Sequence, residues 1–241
     1  MHHPFCVEVN HRVQVLAPMS SELRPLVKQS GAKRVRSVSR PIYRAHVGRT
    51  EVTLARIGIG PEMARRATEW MIDQFPVDHI VVCGIAGGLH ADLPVGAVIV
   101  PEAVLDLATG HRLSTAPLGR LERRGLLATS DHLIVGDAEL AALAALGVAA
   151  VEMESAGVAA ACRPKGIPWT TVRVISDRPD ENLADGSIMK LLRLDGSVRA
   201  GAAIGLMIAQ PARVPSLLKL GHDSARAAAR AADVTLAALR D

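Results

Sequence analysis

The stretch His79-Ile-Val-Val-Cys-Gly-Ile-Ala-Gly-Gly-Leu89 decides the fold class. Its β-branched start reads as a strand over His79–Cys83, and the chain then meets Gly84, Gly87 and Gly88, where bare backbone amides can approach a ligand closely. Working outward, the runs Val13–Ala17, Val52–Gly58, Ala97–Val100 and Thr170–Ser176 are also predicted strands. Between them, Ser20–Gln29, Pro61–Phe75, Asp137–Leu146 and Glu154–Cys162 carry helical spacing. That alternation argues for βα units around a mainly parallel sheet. Pro61 suits a first helical position, where its missing N–H costs nothing, and Met63, Ala67, Trp70 and Met71 then share a face expected to pack on the sheet. Asp137 is expected to cap its helix, and Gly147 to end it in the left-handed conformation.

Composition narrows the class. A chain of 241 residues, 49% hydrophobic and 22% charged, is expected to fold as one domain. Within it, residues 191–241 read as a helical C-terminal extension, with Pro211 and Pro215 as breaks and a long Ala-rich helix from about Asp223 to Leu239. The polar segment Arg178–Gly186 reads as a loop able to cover a site. No apolar run approaches the ~20 residues needed to span a bilayer. The N-terminus, with His2, His3, Pro4 and Glu8, lacks the pattern of a secretory signal, so a cytoplasmic protein without a transmembrane segment is expected. Cys6, Cys83 and Cys162 are too scattered for a disulfide framework or a zinc site. A formal charge of +4 and few aromatics argue against a nucleic-acid surface.

Several segments carry residues suited to chemistry. The turn Gly58-Ile-Gly60 follows a strand and opens a helix, but Met63 stands where a dinucleotide fingerprint needs its third glycine, which argues against a nicotinamide-cofactor dehydrogenase. Glu152-Met153-Glu154 lies at a strand-to-helix junction, where the helix dipole favours ionised carboxylates. One of the two can cap the helix, and an ionised Glu there can accept hydrogen bonds from a ribose diol. Ser176 and Asp177 end a strand at its carboxyl edge, where open α/β sheets bind ligands.

Taken in order, Ala17-Pro-Met-Ser-Ser-Glu22, Gly58-Ile-Gly60, Gly84-Ile-Ala-Gly-Gly-Leu89, Val151-Glu-Met-Glu-Ser-Ala156 and Val172-Arg-Val-Ile-Ser-Asp177 resemble the nucleoside phosphorylase superfamily. The branch containing 5′-methylthioadenosine and S-adenosylhomocysteine nucleosidases is the most similar, over about residues 13–180, while Leu191–Ala228 resembles hopanoid-associated phosphorylases. The resemblance implies a three-layer α/β/α sandwich with a central mixed sheet. It implies cleavage of the N-glycosidic bond of an adenine-type, 5′-substituted purine nucleoside, with no cofactor and with phosphate as a possible co-substrate. It also implies a homo-oligomer.

Residue by residue, the resemblance makes Asp177 the acid at purine N7, supported by Ser176. Glu154 would hold the ribose hydroxyls with Met153 on the sugar face, and Glu22 would orient or deprotonate a nucleophilic water. Ala86 and Gly87 would line the ribose, and Leu133 and Ile134 the base. Gly60, Gly84 and Arg56 would form the phosphate or nucleophile site. The chemistry asks for such residues in its own right, because breaking a ribosyl C–N bond builds positive charge on the sugar and requires protonation of a poor leaving group. Ile85 stands where related enzymes often carry a hydroxyl, and Leu133 where an aromatic stacks on adenine. These departures leave open phosphorolysis or hydrolysis, and also a nucleoside-binding module that has lost turnover.

Overall fold

The computed structural model describes residues 11–36, 40–134, 136–178 and 214–240. In chain order the described elements are β1 (His11–Ala17), α1 (Ser20–Ser30), β2 (Lys33–Arg34), β3 (Ile42–Val47), β4 (Thr50–Arg56), α2 (Pro61–Gln74), β5 (His79–Gly88), β6 (Val98–Ile99), β7 (Ala103–Asp106) and β8 (Arg112–Ser114). They continue with β9 (Leu126–Thr129), α3 (Asp137–Ala145), β10 (Val148–Glu152), α4 (Ser155–Cys162), β11 (Trp169–Asp177) and a long helix, α5 (Val214–Ala238). The strands form a mixed sheet in the order β2-β3-β4-β1-β5-β10-β9-β7-β8, with β11 joining β5 and β6 to β11.

Strand β5 organises this sheet. One edge pairs with β11 along most of its length, from Ile80 to Gly87. The other edge pairs in parallel with β1 only over His79–Val82, then antiparallel with β10 at Gly87 and Gly88. Over Cys83–Ala86, β1 has already left and β10 has not yet joined, so a gap opens beside the carboxyl half of β5. Such a divergence of neighbouring strands is where open α/β sheets hold ligands.

Alternation along the central strands sorts side chains into two cores. Val81, Cys83, Val172 and Val174 face α1 and α5, packing with Leu23, Leu26, Ala231 and Leu236. Ile80, Val82 and Ile175 face α2 and α4, packing with Met71, Val158 and Cys162. A third cluster of Leu89, Ile134, Leu143 and Val148 seats α3. Helices therefore cover both faces, as a three-layer α/β/α arrangement requires.

Helix α4 packs so closely on the start of α2 that a Cβ on Gly157 would overlap the Pro61 carbonyl oxygen and lie 2.7 Å from its carbonyl carbon. Overpacking of this kind costs about 1–3 kcal/mol. Gly157→Ala is expected to lose about that much in urea unfolding at equilibrium; an unchanged midpoint would show that the two helices separate freely.

Local expectations differ from the structure in several places. Gly136, not Asp137, precedes α3, and Asp137 is its first residue and makes no capping bond. Gly147 does adopt φ 78 and ends the helix as expected. On α2 the buried face is Ala64, Ala67, Thr68 and Met71, while Met63 is 37% exposed, because α4 shares that face with the sheet and rotates it away from Met63. Pro215 does not break helix α5, which is described over Val214–Ala238 and contains it. The expected break at Pro211 and the loop 179–186 lie outside the described residues, as does most of the stretch 191–213. No described helix is long and apolar enough to cross a membrane.

Candidate active site

The gap beside β5 is filled by side chains from three elements. The backbone N–H of Ile85, which no strand pairs, donates to Glu22 Oε1 at 2.9 Å. Glu22 stands in the first turn of α1, and its other oxygen accepts the Met19 N–H at 2.7 Å, the carboxylate half of a capping box. It is 2% exposed. Burial pushes its pKa up to about 7, against the opposing pull of Arg173 and of the two backbone donors.

Arg173, in the middle of β11 and 1% exposed, is the hub of this gap. Its Nη2 donates to Glu152 Oε2 and, at 3.2 Å, to Glu154 Oε2, while Nη1 reaches the Ile85 carbonyl at 3.4 Å. Gly84 lies opposite Arg173 in the ladder and is there for space: a Cβ would meet Glu22 Oε1 and lie 2.6 Å from Arg173 Nη1. Sequence reasoning missed Arg173, although a lone cation inside a buried strand demands a counterion.

The two carboxylates of the Glu152-Met153-Glu154 junction divide their tasks. Glu152 caps α4, accepting the Glu154 N–H at 3.0 Å and the Ser155 N–H and hydroxyl at 3.0 Å, together with the Thr129 hydroxyl. Glu154, at the N-cap position, is left to face the gap. Its Oε1 accepts the Gly60 N–H at 3.1 Å and its Oε2 meets Arg173. Burial raises its pKa to about 8, opposed by Arg173 and reinforced by the charges of Glu152 and Glu22.

These raised values have a sign. Two carboxyls that keep their protons in the folded state, while the unfolded chain releases them near pH 4.5, make stability fall as pH rises from about 4.5 through about 8. The thermal midpoint is expected to be higher at about pH 5.5 than at about pH 8.5, and Glu154→Gln should flatten that slope. A midpoint that climbs with pH over this interval would contradict the assignment.

Asp177 closes the carboxyl end of β11. Ser176 Oγ donates to its Oδ1 at 2.5 Å and lies 3.4 Å from the Ala86 carbonyl. A Cβ on Gly87 would stand 3.5 Å from Asp177 Oδ2, so the carboxyl group lies over Gly87. Glu22 and Arg173 lie over Gly84, three residues back along β5, or about 10 Å at strand spacing.

The other expected site residues lie on several elements. Met153 and Leu133 are half-buried in irregular chain beside β10 and β9, but Ile134 packs into the α3 core. The Ala86 side chain is also core, leaving its carbonyl toward Ser176. The Gly60 N–H donates to Glu154. Arg56 donates to Ser20 Oγ at 2.7 Å and lines a groove at the Gly58 turn. Among the described residues no group of His, Cys, Asp or Glu has the geometry of a metal site.

A sequence profile of the phosphorylase superfamily matches residues 12–200. A 5′-methylthioadenosine/S-adenosylhomocysteine nucleosidase of Exiguobacterium sp. is 30% identical over 169 residues, 58% of this chain and 72% of that one. An aminodeoxyfutalosine nucleosidase of Campylobacter jejuni is 26% identical over 199 residues, 70% of this chain and 87% of that one. Among solved structures, the 5′-methylthioadenosine/S-adenosylhomocysteine nucleosidase of S. pneumoniae with a transition-state inhibitor superposes at a TM-score of 0.71 and 21% identity, covering 95% of this chain and 98% of that chain. It shows the same fold.

Proposed function

The chain belongs to the phosphorylase superfamily, and on that premise we propose that it cleaves the N-glycosidic bond of an adenine-type nucleoside with water as the nucleophile. The observation that carries the choice of water is the charge of the gap. Among the described residues three buried carboxyls, Glu22, Glu152 and Glu154, face one guanidinium, Arg173, so the cluster has no surplus positive charge even with Glu22 and Glu154 both protonated. A phosphate dianion placed there would find no free cation to hold it, whereas a ribosyl group gaining positive charge would be stabilised by whichever carboxyls are ionised.

In this reading Asp177, hydrogen-bonded by Ser176, delivers a proton to the departing purine at N7. Glu154, fixed by the Gly60 N–H and Arg173, accepts the ribose hydroxyls. Those donors favour its ionised form and oppose the effect of burial. Glu22, with a pKa brought to about 7, suits the task of taking a proton from water near neutral pH. Arg173 holds Glu154 in place and limits the repulsion between the carboxylates. The relatives' names supply the substrate class, and a 5′-substituted adenosine such as 5′-methylthioadenosine is the first candidate. The reading takes the chain as one catalytic domain of a homo-oligomer.

The test is base release from 5′-methylthioadenosine, adenosine and inosine in phosphate-free buffer. Adenine release without phosphate is expected, fastest from the 5′-substituted substrate. Release that begins only when phosphate is added would replace water by phosphate, and none from any substrate would leave a binding module.

A further inference from the structure

At the Gly58 turn a groove of about 330 Å³ opens between α2 and the β3–β4 hairpin. Its floor is apolar, built from the buried side chains of Ile42, Ile57, Ala67 and Met71, and Trp70 lines it as well. The polar lining is of one sign. Arg40, Arg56 and Arg66 are on it, and no carboxylate is among its lining residues.

The three guanidinium groups differ in what already engages them. Arg66 Nε is paired with Glu62 at 2.6 Å, and Arg56 donates to Ser20. Arg40 lies with its guanidinium carbon 4.8 Å from the Trp70 ring centroid, and no ion pair to it is found among the described residues. An arginine resting on an indole keeps the in-plane N–H donors at its edge, the arrangement that takes a carboxylate or phosphate head in two parallel hydrogen bonds. A volume near the lower end of small-ligand pockets, with an apolar floor and convergent cations, suits a ligand with one flat or short apolar part and one anionic head.

We propose that this groove binds a small amphipathic anion, its carboxylate or phosphate head on Arg40 and its aryl or short alkyl group against Trp70 and the apolar floor. The site is separate from the carboxylate cluster and does not depend on the proposed hydrolysis. The Gly58-Ile-Gly60 turn divides the two, since Gly58 lines the groove and the Gly60 N–H holds Glu154.

The full chain is titrated with phenyl phosphate while tryptophan emission is followed, with inorganic phosphate and phenol as probes of head and ring alone. Saturable quenching by phenyl phosphate is expected, with each fragment weaker by about tenfold or more, the loss of one charge-assisted contact or of the ring's burial. Arg40→Ala, at an exposed position, should weaken phenyl phosphate by about tenfold, and Trp70→Phe should remove the signal although Trp169 remains. Benzoate in place of phenyl phosphate tells a carboxylate source from a phosphate one. The proposal is overturned by an absence of saturable binding, by equal binding in Arg40→Ala, by displacement of the probe with adenosine, or by quenching that appears only when dilution dissociates the protein. The last result would give the groove to a second copy of the chain.

Discussion

Asp177→Asn is expected to cut adenine release by roughly 10²–10⁴-fold while leaving the fold unchanged. Asparagine keeps the size of the side chain and can still accept the Ser176 hydroxyl that now donates to Asp177 Oδ1 at 2.5 Å. What it loses is a transferable proton. The adenine anion is a poor leaving group, so the loss falls on the bond-breaking step and should appear in kcat rather than in KM. A ribosyl substrate whose leaving group needs no protonation, such as a nitrophenyl riboside, should retain most of its turnover in the same variant. Near-normal release of adenine by Asp177→Asn would remove this residue from the reaction, and equal loss on both substrates would show that it acts only by holding the sugar.

Arg173→Met carries the other large effect. The guanidinium is 1% exposed and is the single cation among Glu22, Glu152 and Glu154, each 5% exposed or less. Removing one side of a buried ion pair leaves its partners uncompensated and costs about 3–5 kcal/mol. Methionine fills part of the space without supplying charge, so urea unfolding near neutral pH should show a loss of that order. The deficit should shrink as pH falls, because the stranded carboxylates become neutral by binding protons that the unfolded chain also binds. Arg173→Lys restores charge but not the planar group whose Nη2 meets both Glu152 and Glu154 while Nη1 reaches the Ile85 carbonyl, and it should be intermediate. A loss below about 1 kcal/mol in the methionine variant would mean that water, not Arg173, compensates the three carboxylates.

The parts of the site legible in the sequence were those tied to local pattern. Glu22 near a helix start, Glu154 at a strand-to-helix junction and Asp177 at a strand end are each marked by neighbours within a few residues; in the structure Glu22 meets Ile85, Asp177 lies over Gly87, and Glu154 meets Gly60 and Arg173. Gly84 and Gly87 were visible as glycines but not as seats for Glu22 and Asp177, because that role depends on chains far away in sequence.

Arg173 was hidden for the same reason. In Thr170–Ser176 it reads as one charge in a strand, and only the register of β11 against β5 brings it opposite Gly84. Strand β10 was concealed by the Ala-rich run that also contains α3, with Gly147 at φ 78 as the boundary between them. Strand β3 alternates polar and apolar residues too weakly to declare itself without β4 as a partner. Arg56 meets Ser20 and also lines the groove at Gly58, and Ile134 packs under α3, contacts that depend on chain distant in sequence.

Product analysis tests the choice of nucleophile most directly. The protein is incubated with 5′-methylthioadenosine in buffer containing excess inorganic phosphate, and the sugar is followed by phosphorus NMR. A pocket whose single guanidinium among the described residues is already met by carboxyls predicts adenine and a free sugar, with no sugar phosphate signal. Accumulation of a sugar 1-phosphate in step with adenine would contradict the account, because phosphate would then have entered a site with no free cation to hold it.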